Sequence, residues 1–306
     1  MSGWATTTAR TRDGVTLRVG LHRATRPRGH VLLLQGRGDF LDKYDDAATR
    51  LAGEGLTVLS WDWRGQGDSE STGAPRGALH VDRFGDYLLD LDAAVAAWPD
   101  LPGPRVLVGH SMGGLVALLH LLRAPDDAVA AVLLSPMLAF RGTPPAPLVS
   151  ALARTATALG YGRAWAAGER WTPAEACTLE NGMATGDPDG FARLQALRLA
   201  RSSGLVTGST WGWTAAAVAA MRTVARADLG RVRAPVLVAS APADPTVDPA
   251  AHHALVRRLP RARLVEYAGR HDLLFESAAT TGALWADLRA HVDRALGGAR
   301  ASAGPS

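Results

Sequence analysis

The fold is decided at residues 105–119, RVLVGHSMGGLVALL. A run of valine and leucine stops at a serine set among glycines, and apolar residues then resume with helical spacing. This is the pattern of a buried strand passing into a helix through one tight turn. A serine at such a junction sits in strained backbone, and glycines at 109 and 113 remove the Cβ atoms that would crowd it. The pattern Gly109-His110-Ser111-Met112-Gly113 is G-x-S-x-G, which holds a serine hydroxyl up beyond the carboxyl end of a strand. A glycine-flanked serine also serves as an ordinary turn with a capping hydroxyl. The strand before it and the helix after it favour the nucleophile.

Similar short runs recur on both sides: VTLRVGL at 15–21, HVLLLQG at 30–36, LTVLSWD at 56–62, AVLLSP at 131–136, PVLVAS at 235–240 and RLVEYAG at 263–269. Segments with helical spacing, such as KYDDAATRLAGEG and YLLDLDAAVAAW, lie between most of them. Such alternation predicts an α/β fold with a mostly parallel central sheet flanked by helices. The first strands have no helix between them and predict an antiparallel entry hairpin. Leu284, Leu288, Val292 and Leu296 fall on one face of a closing helix, after which GGARASAGPS reads as a disordered tail. Residues 140–227 carry no strand-like run, only proline-rich breaks, helical patches and four of the nine tryptophans: Trp165, Trp171, Trp211 and Trp213. A loop of that length is anomalous, so the segment reads as a helical lid inserted into a core made of 1–139 and 228–306. A packing role is expected for at least half of those tryptophans.

Composition bounds the function. With 47% hydrophobic and 20% charged residues in 306, the chain can build a sizeable core. Its net charge is +4, and of 33 basic residues only Lys43 is lysine. No basic stripe appears, so nucleic acid is not an expected partner. A weak attraction to anionic membrane surfaces, and so a peripheral membrane contact, is left open, as is the oligomeric state. The single cysteine, Cys177, excludes an internal disulfide and offers no metal cluster. The N-terminus lacks the apolar segment of a signal peptide, and no run reaches the ~18 apolar residues of a membrane span, which predicts a cytoplasmic protein.

A serine hydroxyl needs a base, and the base needs an acid to fix its tautomer. Downstream of Ser111, His120 and His291 lie inside helices, and His252 and His253 read as the solvated face of a surface helix. His271 falls in a loop between the last strand and the closing helix, which makes it the expected base. The acid is expected after PVLVAS, in the loop APADPTVD. Asp244 is nearer the strand end, whereas Asp248 fits a helix N-cap, so Asp244 is preferred and Asp248 stays open. The tetrahedral oxyanion needs N–H donors. Met112, just after the nucleophile at a helix start, supplies one; Arg37, in the glycine turn QGRGDF, is the expected second.

The segments LLLQGRGDFLDKYDDAATRLAGEGLTVLSWDWRGQGDSE, GHSMGG, ASAPADPTVD and GRHDLL, with STWGWTAAAVAAMRTVARADLGRVRAPVLV, resemble the monoacylglycerol lipase and bacterial lysophospholipase-like group of α/β-hydrolases. The resemblance covers the core from about residue 30 and part of the insertion. It implies an α/β-hydrolase fold with a lid shaping an acyl pocket, Ser111 as nucleophile, Asp244 as acid, His271 as base, and Arg37 with Met112 at the oxyanion. It implies a serine hydrolase acting on a small, lipid-like carboxylic ester, with neither metal nor other cofactor. Gln35 departs from the histidine of many members, which bears on packing of the oxyanion loop. Arg37 and Arg64 are weak candidates for a phosphate headgroup, DWRGQGDS reads as a structural turn, and His80 as a hydrogen-bonding residue. A peptidase, thioesterase or acyltransferase would use the same triad, and a non-catalytic small-ligand-binding protein is the contrasting class.

Overall fold

The computed structural model describes residues 3–142, 146–182, 184–201 and 204–303. The chain enters through β1 (Ala5–Arg10), β2 (Thr16–His22) and β3 (Gly29–Leu34), then α1 (Asp45–Gly53), β4 (Leu56–Trp61), the two-residue β5 (Ala78–Leu79) and α2 (Gly85–Ala96). β6 (Arg105–His110), α3 (Met112–Arg123) and β7 (Ala130–Leu134) follow. Next come α4 (Ala146–Ala156), α5 (Pro188–Leu199), the short β8 (Gly208–Ser209) and α6 (Trp211–Arg226). β9 (Val236–Ser240), α7 (Pro249–Val256), β10 (Ala262–Glu266) and α8 (Ala278–Ala303) close the chain.

Eight strands form one sheet in the order β1-β2-β4-β3-β6-β7-β9-β10, parallel from β4 to β10 and antiparallel at β1 and β2. The period of two along each central strand sorts its residues between two helical layers. Val31, Leu33, Val106 and Val108 face α1 and α8; Leu32, Leu34 and Leu107 face α2, α3 and α6. Both faces are covered, which is why these runs are apolar throughout. Leu284, Leu288, Val292 and Leu296 are the buried stripe of α8.

β3 neighbours β4 on one side and β6 on the other, so the chain winds away from β3 in both directions. The crevice beyond the carboxyl ends of β3 and β6 is therefore the topological switch point of the sheet. The Gln35–Gly38 turn follows β3 there, and Ser111 follows β6.

Four expectations change. The entry hairpin is β1 with β2, not the runs at 15–21 and 30–36; β2 pairs with β4 instead of β3. ATTTAR carries no apolar run because β1 is a mostly exposed edge strand built on β-branched threonines. Residues 140–227 are not free of strand, since β8 pairs in parallel with β5. The closing helix runs on to Ala303 instead of fraying at Gly297, as alanine and arginine carry the helix past two glycines. Of the expected tail, residues 304–306 lie outside the described residues. His252 is fully buried, not solvated, with its ring nitrogens bonded to Ser240 Oγ and Pro136 O, both at 2.8 Å.

Among the described residues no helix is long and apolar enough to cross a membrane. α6 is tied to the core through Trp213, which is 1% exposed, packs on Phe84 and donates its indole N–H to Tyr87 Oη at 3.0 Å. Trp171 is 44% exposed. Trp213→Ala removes the indole and strands Tyr87, so a loss of about 3–5 kcal/mol is expected from urea denaturation. A loss below about 1 kcal/mol would show that α6 is not held by this contact.

Candidate active site

Ser111 sits between β6 and α3 with φ +50° and ψ −113°, outside the ordinary regions for a non-glycine residue. The sharp turn carries α3 back across the ends of β3 and β6. A Cβ at Gly113 would lie 2.1 Å from Leu34 O, and one at Gly109 would lie 2.7 Å from Gly113 O. Glycine is required at both positions by approach of backbone to backbone, as the motif predicts. Met137 N–H donates to Ser111 O at 2.9 Å and so braces the turn from the β7 side.

The three side chains named from the sequence come together here. His271 Nε2 lies 2.8 Å from Ser111 Oγ, and His271 Nδ1 lies 2.7 Å from Asp244 Oδ2. A carboxylate can only accept, so Nδ1 carries the proton toward Asp244, and Nε2 is left to accept the serine O–H. All three are buried. Burial alone would raise the Asp244 carboxyl, but the bond and charge of His271, with N–H donors from Val247 and Thr246, outweigh it and hold Asp244 below the usual aspartate value. Asp248 is the N-cap of α7, its side chain accepting from Ala250 N–H at 2.9 Å. The ambiguity between the two aspartates is thus resolved by geometry: only Asp244 reaches His271.

Backbone N–H groups in the turn after β3 and at the start of α3 differ in whether they find partners. In the Gln35–Gly38 turn, Gly36 N–H is bonded to Asp39 and Gly38 N–H to Gln66 Oε1. Arg37 N–H, between them, has no hydrogen-bond partner among the described residues, and neither has Met112 N–H at the start of α3. The sequence reading expects these two groups to face the oxyanion. Gln35 fills the position of the expected histidine; it is fully buried and donates to Ser60 Oγ at 3.2 Å.

The remaining side chains named from the sequence have structural partners. Arg64 is buried between Asp90 at 2.7 Å and Asp13 at 2.7 Å. Arg37 pairs with Glu169 at 3.1 Å and stacks over the Trp213 ring at 5.5 Å, linking the turn to the segment between β7 and β9. His80 lies between Thr210 Oγ1 and Asp82.

The same 140–227 segment grips both the Asp244 loop and the His271 loop. Arg141 donates to the carbonyls of Pro242 and Asp244. Arg270 donates to carbonyls of Leu179 and Gly182, and Asp272 N–H donates to Ala184 O. Beneath the site lies a buried charged cluster that the sequence reading missed: Asp39, Lys43, Tyr44, His110 and Asp272. Two signals pointed to it: Lys43 is the only lysine in the chain, and His110 and Asp272 adjoin Ser111 and His271. Among the described residues no group of three or more His, Cys, Asp or Glu side chains could hold a metal ion.

A sheet with this order, a strained serine at its switch point and a histidine and aspartate on the following loops define an α/β-hydrolase fold. The serine aminopeptidase S33 family (Hydrolase_4) matches residues 25–278, and the chain belongs to that family. It is similar to lysophospholipase L2 of Escherichia coli strain K12, at 37% identity over 130 residues, which is 41% of this chain and 37% of the relative. It is also similar to human monoglyceride lipase, at 32% identity over 111 residues, 36% of each chain. These alignments span little more than a third of either relative. Over the whole fold, the crystal structure of Paleococcus ferrophilus monoacylglycerol lipase superposes with a TM-score of 0.70 at 22% identity, covering 92% of this chain and 98% of the other.

Two outcomes are expected. Gly113→Ala drives a methyl into Leu34 O, and the cost should be roughly 3 kcal/mol by chemical denaturation; a change within experimental error would mean that the elbow relaxes freely. Asp39, Asp244 and Asp272 are all held below the ordinary value of 3.8, so their stabilisation is complete above it and drains away as pH falls through the lowered values. The melting temperature should fall steadily from about pH 5 to about pH 2.5, and a flat profile would contradict the pairing.

Proposed function

We propose that the protein is a serine hydrolase of carboxylic esters, with Ser111 as nucleophile, His271 as general base and Asp244 as the orienting acid. The observation that carries this reading is the bonded chain Ser111–His271–Asp244 at 2.8 and 2.7 Å. His271 Nε2 takes the hydroxyl proton as Ser111 Oγ attacks the ester carbonyl. Arg37 N–H and Met112 N–H receive the oxyanion, the protonated His271 delivers its proton to the departing alcohol, and an acyl-enzyme remains. Water activated by His271 then releases the acid.

The substrate class is a lysophospholipid or a monoacylglycerol. The relatives named lysophospholipase L2 and monoglyceride lipase support it. Residues 140–227 act as the lid over the acyl pocket: they supply Glu169 against Arg37 and cover a serine that is only 5% exposed. Leu148 and Leu152 on α4 are 59% and 52% exposed, which supports peripheral contact of this lid with lipid by a cytoplasmic protein. The family description favours one contrasting reading, an aminopeptidase using the same three residues.

A panel of lysophosphatidylcholine, monoacylglycerol, short p-nitrophenyl esters and an aminoacyl amide, run with wild type and Ser111→Ala, tests the proposal. Hydrolysis of a lipid ester that drops at least about 10⁴-fold in the variant is expected. Cleavage of the amide alone would transfer the assignment to the peptidase. Silence on the panel, with no labelling of Ser111 by a fluorophosphonate, would leave a ligand-binding protein.

A further inference from the structure

Three segments far apart in sequence meet at the buried cluster under the site. Lys43 Nζ lies 2.5 Å from Asp39 Oδ1 and 2.6 Å from Asp272 Oδ2. Asp39 Oδ2 accepts from Gly36 N–H at 2.9 Å and from Tyr44 O–H at 2.7 Å, and lies 3.2 Å from His110 Nδ1. Tyr44 Oη is in turn 3.0 Å from His110 Nδ1, and the rings of His110 and His271 are 5.2 Å apart. Each partner adjoins a group the reaction uses: Gly36 precedes Arg37, His110 precedes Ser111, and Asp272 follows His271.

The two carboxylates outnumber the one ammonium, and Gly36 N–H and Tyr44 O–H donate to Asp39 Oδ2 while His110 Nδ1 lies beside it. The buried Asp272 carboxylate is met by the Lys43 ammonium at 2.6 Å. Lys43 Nζ lies over the Tyr44 and Phe275 rings at 5.3 and 5.7 Å, in a chain whose other basic residues are all arginine. Stability is a weak reason to keep such a cluster, since apolar replacement of a buried ion pair is often neutral or stabilising. Fixed register between three loops is a better one.

We propose that Lys43 is a positioning residue: with Asp39, Asp272, Tyr44 and His110 it forms a buried strut that holds the oxyanion turn, the nucleophile and the base loop in mutual register. The proposal rests on the triad reading above. Loss of the strut moves reacting groups by fractions of an ångström, so it acts on the chemical step more than on binding.

The test compares wild type, Lys43→Met, Lys43→Met/Asp272→Asn and Tyr44→Phe in p-nitrophenyl ester hydrolysis, fluorophosphonate labelling of Ser111 and thermal melting. Lys43→Met should lose about 10–100-fold in kcat per folded molecule with KM within about threefold, and label slower by the same factor. The double variant, in which Asp272 no longer carries a buried charge and Asp39 keeps its bonds from Gly36 N–H and Tyr44 O–H, should regain melting temperature but not kcat. Wild-type kcat in either folded variant overturns the proposal and leaves the cluster a matter of stability. Should Lys43→Met not fold, Tyr44→Phe decides: a drop of about 3–10-fold in kcat at unchanged KM supports the strut, and wild-type kcat overturns it. Wild type that neither labels nor hydrolyses overturns the triad reading, and this one with it.

Discussion

At Gly113 the backbone of α3 crosses the end of β3 so closely that a single Cβ would stand 2.1 Å from Leu34 O, and the site is arranged around this crossing. The crossing forces Ser111 into its strained conformation and turns its hydroxyl toward the crevice at the switch point of the sheet. Met112 N–H, at the start of α3, has no hydrogen-bond partner among the described residues. The parallel sheet supplies the rigidity that such strain needs, with both of its faces covered by helices.

From that crossing outward, each functional side chain is held by a partner from another part of the chain. Arg141 ties the Asp244 loop to the start of the 140–227 segment, and Arg270 ties the His271 loop to its middle. Arg37 reaches Glu169, and Trp213 anchors α6 to Tyr87. The 140–227 segment is thus bonded to both the Asp244 loop and the His271 loop.

Much of this was legible in the sequence because the signals are local. Gly109 and Gly113 announce the elbow, the apolar runs announce buried strands, and Leu284 to Leu296 announce one face of α8. What escaped was read from exposure or from distance. β1 has no apolar run because it lies at an edge, where threonines suffice. His252 looked solvated because neighbouring His253 and the arginines after it are polar, yet Ser240 and Pro136 from two strand ends close over its ring. The helix past Gly297 escaped because two glycines are a genuine stop signal that a favourable run of alanine and arginine overrode.

The sequence by itself determined the class of sheet and the position of the strained serine, because each depends on residues within one turn or one strand period. The tertiary structure decided which aspartate meets His271, since Asp244 and Asp248 are equivalent candidates until the loop closes and one of them caps α7. It also decided what surrounds the chemistry. Lys43 could pair with Asp39 along its own helical turn, but its second carboxylate comes from Asp272, and only the folding of β3, β6 and the loop after β10 onto one another brings those charges within 3 Å.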